Sequence, residues 1–114
     1  MISDALRLRL LEFRRDRDWE QFHSPKNLAA AISVEAAELL EHYQWAADSE
    51  VVQVTAERRA DIADEIADIA ILLTYLANDL SFDLETIVES KLKRNAEKYP
   101  VAKSKGKSLK YDRF

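Results

Sequence analysis

The sequence predicts an all-α fold, and three observations support this prediction. The 114 residues include one Gly and two Pro, so few positions would interrupt a helix. Apolar side chains recur every three to four residues in four separate segments. Ser, Thr or Asp stands before each segment, where it can cap a helix N-terminus. Four amphipathic helices joined by short connections are typical of an antiparallel four-helix bundle.

The first two helices are predicted to begin at serine caps. Ser3 precedes a helix that we expect to reach Arg17. Ser24 precedes the second helix, and Pro25 occupies its first position, where the missing backbone N–H costs nothing. We expect this second helix to end at about Tyr43 or Trp45.

The third helix is predicted to begin after Thr55 as its N-cap and to end at Leu80. Asp83 caps the fourth helix, which ends before Pro100 because the residue preceding a proline avoids the helical conformation. Residues 1–100 would then form one helical domain. Residues 101–114 contain five basic residues and one acidic residue, so we expect an irregular basic tail.

Composition and charge argue against several classes of protein. The net charge of −4 and the pI of about 5.2 disfavour a nucleic-acid polymer as partner, because binding along phosphates requires a basic surface. The chain has no Cys and therefore no disulfide scaffold. No run approaches the ~20 apolar residues of a membrane span, and the N-terminal segment does not resemble a signal peptide. We expect a cytoplasmic protein with no membrane partner.

Acidic residues occupy matching positions on the second and third helices. At about 100° per residue, Glu65 and Asp68 lie roughly 60° and 120° from the centre of the apolar stripe of their helix. Glu35 and Glu38 lie at the same two angles on the second helix. Antiparallel packing through the two stripes would bring the four carboxylates together. The stripe of the third helix comprises Ile62, Ile66, Ile69, Leu73, Leu76 and Leu80.

Four neighbouring carboxylates repel one another, so they would either take up protons or surround a cation. Oxygen ligands select hard ions, chiefly Mg²⁺ or Mn²⁺. Di-iron bundles use Glu-x-x-His pairs, and neither pair here ends in His, so a di-iron site is not expected. The alternative is that both pairs lie on solvated helix faces, as most such pairs do. The matching positions on two helices favour the metal site.

The sequence also resembles a known family. Glu35-x-x-Glu38, followed after 26 residues by Glu65-x-x-Asp68, resembles the motif of the MazG-type all-α nucleoside triphosphate pyrophosphohydrolases. Four blocks resemble, in order, those of the dCTP pyrophosphatase branch of this family, and together they extend over nearly the whole chain up to Pro100. They read RDWEQFHSPKNL, ELLEHYQW, DEIADIAILLTYL and SKLKRNAEKYP.

The resemblance implies Mg²⁺-dependent hydrolysis of a nucleoside triphosphate to the monophosphate and pyrophosphate. The substrate would be a pyrimidine deoxynucleotide such as dCTP or a modified dCTP, and the purpose would be to clean the nucleotide pool. The implied metal ligands are the four carboxylates. One carboxylate that the metal leaves free would accept the proton of the attacking water, and Glu38 is our candidate for this general base. Resembling proteins form homodimers or homotetramers.

The implied substrate-binding residues lie outside the carboxylate pairs. Trp19 and Trp45 would form the walls of the base pocket, although tryptophan is more often a core or interface residue. His23 is a candidate base contact or a loop hydrogen-bonding residue. On the fourth helix, Lys91 and Asn95 are candidate phosphate or base contacts. The alternative for Asn95 is a hydrogen bond to a neighbouring backbone carbonyl.

Three positions depart from the pattern of the branch, and they leave the choice of base open. Leu10, Leu72 and Asp79 stand where the branch has His, Tyr and Arg, respectively. A dUTPase-like or phosphoribosyl-ATP pyrophosphohydrolase-like enzyme on the same scaffold is therefore one alternative function. A non-enzymatic helical interaction protein is the other, and its stability would not respond to Mg²⁺.

Overall fold

The computed structural model describes residues 2–113, and every regular element in that range is helical. The predicted all-α class is therefore confirmed. The four predicted helices correspond to α1, α2, α4 and α5, and two short helices, α3 and α6, are also present. The α-helices are α1 (Asp4–Asp16), α2 (Pro25–Glu41), α3 (Val51–Glu57), α4 (Arg59–Asp79), α5 (Leu84–Lys98) and α6 (Val101–Ser104). Single 3₁₀ turns occur at Glu20–Phe22, Asp48–Glu50 and Tyr111–Arg113.

Three of the predicted N-caps form as expected. The Ser3 hydroxyl accepts a hydrogen bond from the Leu6 N–H at 3.2 Å. The Ser24 hydroxyl accepts one from the N–H of Asn27 at 3.1 Å, and Asp83 accepts one from the N–H of Thr86 at 3.3 Å. Each cap satisfies a backbone donor that the first helical turn leaves without an internal partner.

The predicted start of the third helix was wrong. Thr55 lies inside α3, where its hydroxyl donates to the Val51 carbonyl at 2.8 Å and accepts from the Tyr43 hydroxyl at 2.8 Å. The helix axis breaks at Arg58, whose backbone leaves the helical region before α4 begins. No Gly or Pro marks this break in the sequence. None of the helices in residues 2–113 is long and apolar enough to cross a bilayer.

The chain divides into two compact units, Met1–Ser81 and Phe82–Phe114. In the first unit, the most extensive helix contact joins α2 and α4, and α1 and α3 also pack against α4. The Tyr75 hydroxyl of α4 donates to the Leu10 carbonyl of α1 at 2.9 Å. The buried apolar residues are Leu28, Ile62, Tyr75 and Ala77.

The apolar stripe of α4 is only partly buried. Ile62 is 8% exposed, as expected for a core position, but Ile66 is 55% exposed and Leu80 is 44% exposed. The placement of Ile66 and Leu80 in the core was therefore wrong for the single chain. A wheel gives the side of the helix on which a residue lies, but whether a neighbouring helix covers that side depends on tertiary packing.

The second unit contains α5 and the C-terminal tail. The tail, which we expected to be irregular, includes the one-turn helix α6 and the 3₁₀ turn at its end. The ring of Tyr111 lies edge-on to the ring of Tyr99 at 6.0 Å, and the ammonium of Lys98 lies 4.8 Å from the Tyr111 ring centroid. These contacts fold the end of the tail back onto the end of α5. The apolar side of α5 remains exposed at Val88 and Leu92.

Candidate functional site

Three carboxylates from two helices converge in the first unit. Glu35 and Glu38 lie three residues apart on α2 and therefore project from the same side of the helix. Glu65 projects from α4. One carboxylate oxygen of each residue lies within 4.8 Å of the others. This is the convergence that the matching wheel positions predict for antiparallel packing.

Asp68 lies outside this group of three, one turn after Glu65 on α4. Its negative charge nevertheless raises the pKa of Glu35, and it does so more strongly than the charge of Glu65. At the C-terminal end of α2, His42 instead contacts Glu65. Residues later in α2 are thus close to residues earlier in α4, which is the order of two antiparallel helices.

The environment of Glu35 disfavours a negative charge. Its pKa is raised because the protonated carboxyl donates a hydrogen bond to Glu38, because it is partly buried, and because Glu38, Asp68 and Glu65 carry negative charges. The Oε2 atom of Glu35 is buried and has no hydrogen-bond partner within residues 2–113. A buried oxygen without a donor destabilises the fold unless a proton or a cation reaches it.

His42 fixes the orientation of Glu65. Its Nε2 lies 2.6 Å from Oε2 of Glu65, and the two side chains are 15% and 16% exposed. Because the carboxylate can only accept, the imidazole donates this bond from Nε2. The arrangement restricts the rotation of the Glu65 carboxylate, as histidine and carboxylate partners commonly do beside metal ligands.

The three converging residues fit a divalent cation. They supply only carboxylate oxygens, which suit hard ions such as Mg²⁺ and Mn²⁺. The buried, unpartnered oxygen of Glu35 provides an acceptor that a cation would satisfy. Mutual repulsion among the carboxylates would also be relieved by a positive charge among them. No Cys and no directly converging His competes for a softer ion in this group.

A surface cleft of about 180 Å³ lies at the C-terminal end of α2, and none of the three converging carboxylates lines it. His42 lines the cleft and also contacts Glu65. Trp45 forms part of its wall and is 88% exposed, so its indole face is available for stacking. Arg58, at the break between α3 and α4, supplies a positive charge. The lining residues are Glu41, His42, Trp45, Ala46, Glu50, Val54 and Arg58.

Trp19 and His23 lie on the loop between α1 and α2 and do not line this cleft. The ring of Trp19 lies edge-on to Phe13, with ring centroids 5.7 Å apart. The His23 ring packs on Tyr75, with centroids 5.5 Å apart. The two predicted tryptophan walls therefore belong to different parts of the first unit.

Lys91 and Asn95 belong to α5 in the second unit. They lie four residues apart and therefore on one side of the helix. Lys91 is exposed, whereas Asn95 is half-buried. The Asn95 backbone carbonyl accepts a hydrogen bond from the N–H of Tyr99 at 2.8 Å, which closes the last turn of α5.

Sequence reasoning missed two arginines. Arg58 lines the cleft because the helix breaks there, and no residue type in the sequence predicts that break. Arg14 is buried although it is charged. The one signal for Arg14 is its position four residues after Leu10, which places it on the apolar side of α1.

Comparison with protein families gives a match over most of the chain. The model described as the MazG-like family matches residues 30–114. Curated proteins named dCTP pyrophosphatase 1 from Rattus norvegicus, Bos taurus and Homo sapiens are 40%, 42% and 38% identical to the chain over 112 residues. These alignments cover 96% of the chain but only 65% of the length of the rat and human proteins.

Comparison with solved structures gives the same kind of match. The crystal structure of a pyrophosphatase from Archaeoglobus fulgidus superposes with a TM-score of 0.83 and 40% sequence identity. The match covers 85% of this chain and 91% of that chain. At this identity the likeness extends beyond the helical architecture to the sequence that forms it.

Proposed function

The chain belongs to the MazG-like family, and from this premise we propose that it is a nucleoside triphosphate pyrophosphohydrolase. In the proposed reaction, water attacks the α-phosphorus of a nucleoside triphosphate, and the monophosphate and pyrophosphate are released. The observation that supports this most directly is the convergence of Glu35, Glu38 and Glu65 at one point. The dCTP pyrophosphatases that the chain resembles carry out a reaction of this class by name.

The proposed metal ligands are Glu35, Glu38, Glu65 and Asp68, with Mg²⁺ as the ion and Mn²⁺ as a substitute. When bound, such an ion would neutralise charge on the phosphates and on the leaving pyrophosphate and would acidify the attacking water. The chain's own residues prepare the site in two ways. Glu35 offers a buried oxygen that lacks a partner, and His42 holds Glu65 in a single orientation.

Glu38 is the proposed general base. It is exposed, whereas Glu35 and Glu65 are half-buried, so water reaches Glu38 most readily. A general base must lie within hydrogen-bond reach of the proton that it accepts, and the exposed position of Glu38 allows a water molecule to approach that closely. In the reaction the donor would be the attacking water.

We place the nucleotide beside the carboxylates, with Trp45 stacking on the base and Arg58 contacting phosphate oxygens. Both residues line the cleft that His42 connects to Glu65. Trp19, His23, Lys91 and Asn95 remain proposed substrate contacts. A pyrimidine deoxynucleotide such as dCTP is the proposed substrate, because the curated relatives are named for dCTP. Hydrolysis of such triphosphates would remove unwanted nucleotides from the pool.

We further propose that the active form is a homodimer or a homotetramer. Exposed apolar side chains on the single chain support this proposal. Leu40 of α2 is 61% exposed and Ile66 of α4 is 55% exposed, although these two helices form most of the core. Burying each such side chain is worth about 1.5–3 kcal/mol. A second copy of the chain that covered them would supply this stabilisation.

A panel of nucleoside triphosphates incubated with Mg²⁺ tests the proposed reaction. We expect a monophosphate and pyrophosphate as products, separated by ion-exchange chromatography, with a pyrimidine deoxynucleotide turned over fastest. In ¹⁸O-labelled water, the label should enter the monophosphate. Release of orthophosphate with a diphosphate would show that the wrong bond had been assigned. A chain that hydrolyses none of the panel and whose melting temperature does not respond to Mg²⁺ would instead be an interaction protein.

A further inference from the structure

Arg14 is a buried charge at the contact between α1 and α4. Its side chain is 5% exposed, and its two terminal nitrogens donate to the two carboxylate oxygens of Asp79 at 2.8 and 2.7 Å. The guanidinium also lies over the ring of Tyr75, 4.5 Å from the centroid. This forked ion pair and the ring beneath it hold the guanidinium in one position.

The same residue holds both ends of the aromatic loop, which we define as residues 19–23. At the beginning of the loop, the backbone carbonyl of Arg14 accepts a hydrogen bond from the N–H of Trp19 at 3.1 Å. At its end, Nη1 of Arg14 lies 3.4 Å from Nδ1 of His23. Asp18, just before the loop, adopts a positive φ of 54°, which turns the chain back toward α1. One residue of α1 thus contacts Trp19 through its backbone and His23 through its side chain.

The contact with Arg14 determines which ring nitrogen of His23 carries the hydrogen. A guanidinium has donors only, so Nδ1 must accept and the hydrogen of the neutral ring must be on Nε2. Burial lowers the pKa of His23, and the positive charge of Arg14 lowers it further, while Asp79 opposes them to a smaller extent. Tyr75, the other titratable group against the ring, has a raised pKa and is a neutral phenol. His23 therefore stays uncharged at neutral pH.

The Nε2 atom of His23 remains accessible. Within residues 2–113 it makes no hydrogen bond, and it is not one of the buried polar atoms that lack a partner. The ring thus presents one N–H donor at the surface, on the same loop as Trp19, which is 43% exposed. A loop that carries an exposed aromatic side chain and a single neutral donor suits an aromatic heterocycle with an acceptor atom on its edge.

We propose that Arg14, fixed by Asp79, positions the aromatic loop and keeps His23 as a neutral Nε2–H donor to an acceptor atom of the nucleobase. Arg14 and Asp79 are positioning residues in this proposal, because they act through His23 and Trp19 and not on the substrate itself. The proposal rests on the proposed function, since it assigns a role in binding the same nucleotide. It also accounts for Asp79, one of the three departures from the sequence pattern of the related branch.

The first test measures the tautomer without any substrate. Long-range ¹H–¹⁵N correlation spectra report which imidazole nitrogen carries hydrogen. The chain has two histidines, so a His23→Gln variant identifies the signals of each. We expect an Nε2–H tautomer for His23 in the wild type and a mixture of tautomers in Arg14→Met, with a pKa closer to that of an ordinary histidine. A mixed or Nδ1–H tautomer in the wild type would overturn the proposal.

The second test separates positioning from stability through kinetics. Arg14→Met should raise KM about ten-fold while kcat changes less than three-fold, because one neutral hydrogen bond and the order of the loop are lost. Arg14→Lys keeps the charge beside Asp79 but lacks the planar fork. It should therefore be more stable than Arg14→Met, while its KM stays above that of the wild type. Arg7→Met is the matched control, because Arg7 also joins α1 to α4, through Asn78 at 3.2 Å, without touching the loop. It should leave KM unchanged.

The outcomes distinguish this inference from the proposed function. The positioning role is wrong if the wild type hydrolyses triphosphates and Arg14→Met, assayed well below its melting temperature, has the same KM as the wild type. The proposed function would then stand. If Arg14→Lys restores KM together with stability, the residue is only structural and the inference again fails. If the wild type hydrolyses no triphosphate, the proposed function fails and so does the nucleobase role, whereas the spectra still report the Arg14–His23 contact by itself.

Discussion

At the scale of single residues, the site is defined by carboxylates that destabilise one another in the absence of a positive charge. Glu35 is the clearest case, since its pKa is raised by its hydrogen bond to Glu38, by burial and by neighbouring charges. A fold that kept these residues together only for stability would gain from replacing any one of them with an uncharged residue. Their proximity is understandable if a cation or a transferred proton occupies the site during function.

Glu38→Gln tests the role of the exposed carboxylate. The amide keeps the shape of the side chain but cannot accept a proton from water, so kcat should fall by at least about a hundred-fold. The melting temperature without metal should stay the same or rise, because one negative charge is removed from the group. Steady-state kinetics and thermal melting in EDTA measure the two effects. Near-normal turnover in Glu38→Gln would show that this carboxylate is not needed.

His42→Phe tests whether the imidazole orients Glu65. The ring shape is retained but the donor at 2.6 Å from Glu65 is lost, so Mg²⁺ affinity should fall about 10–100-fold. Thermal melting across a Mg²⁺ titration measures this affinity without reference to activity. The matched control is Tyr43→Phe, which removes the neighbouring hydrogen bond to Thr55 and should cost about 1 kcal/mol with no change in the Mg²⁺ midpoint. Equal midpoints in wild type and His42→Phe would contradict the role.

At the scale of helices, the pair between Arg14 and Asp79 joins α1 to α4. The hydrogen bonds from Arg14 lower the pKa of Asp79, and burial opposes this effect. A carboxyl with a lowered folded-state pKa stabilises the fold above its unfolded-state pKa, here near 3.8, and the stabilisation is lost as pH falls through the lower folded value. The contact between the two helices should therefore be sensitive to strong acid but not to pH changes near neutrality.

Asp79→Asn makes this dependence measurable. At pH 7 the free energy of unfolding of the variant should be lower by roughly 2–3 kcal/mol, because Arg14 would remain buried without its counter-charge. The partial exposure of Asp79 limits the loss to this size. The difference from wild type should persist to about pH 4 and shrink below it. Urea unfolding at several pH values measures this difference. Asp4→Asn, which breaks an exposed pair with Arg7 on α1, should cost under about 0.5 kcal/mol at any pH. A difference that persisted unchanged at pH 2 would contradict the assignment.

The helices and the carboxylates could be predicted from the sequence because both follow from local rules. Caps such as Ser24 and Asp83 depend on a hydrogen bond to a residue three positions later, and the convergence of Glu35 with Glu65 follows from matching helical positions. The break at Arg58 could not be predicted, because no Gly or Pro marks it in the sequence. The burial of Arg14 depends on Asp79, which is 65 residues away in the sequence.

At the scale of the whole molecule, the exposed apolar side chains are the feature that one chain leaves unexplained. Trp45 is 88% exposed, Val52 is 82% exposed, and Ile66 is 55% exposed on the partly buried stripe of α4. Small domains bury a limited fraction of their surface, so association is a common source of additional stability. A homo-oligomer would cover part of this surface, and the cleft beside Trp45 would then lie close to a subunit boundary.

Trp45→Ala distinguishes a base-stacking role from an interface role. An aromatic stack on a base is worth roughly 1–3 kcal/mol, so loss of the indole should raise KM by about ten- to a hundred-fold with a smaller effect on kcat. The oligomer should then keep its mass in light scattering. If Trp45 instead packs against a second subunit, the variant should dissociate and unfold more readily, with KM following the loss of oligomer.

Ile66→Glu provides the comparison, because it places a charge on an exposed apolar position outside the cleft. We expect the Ile66→Glu variant to be more monomeric than the wild type. A fully active wild-type monomer in solution would refute the proposed assembly.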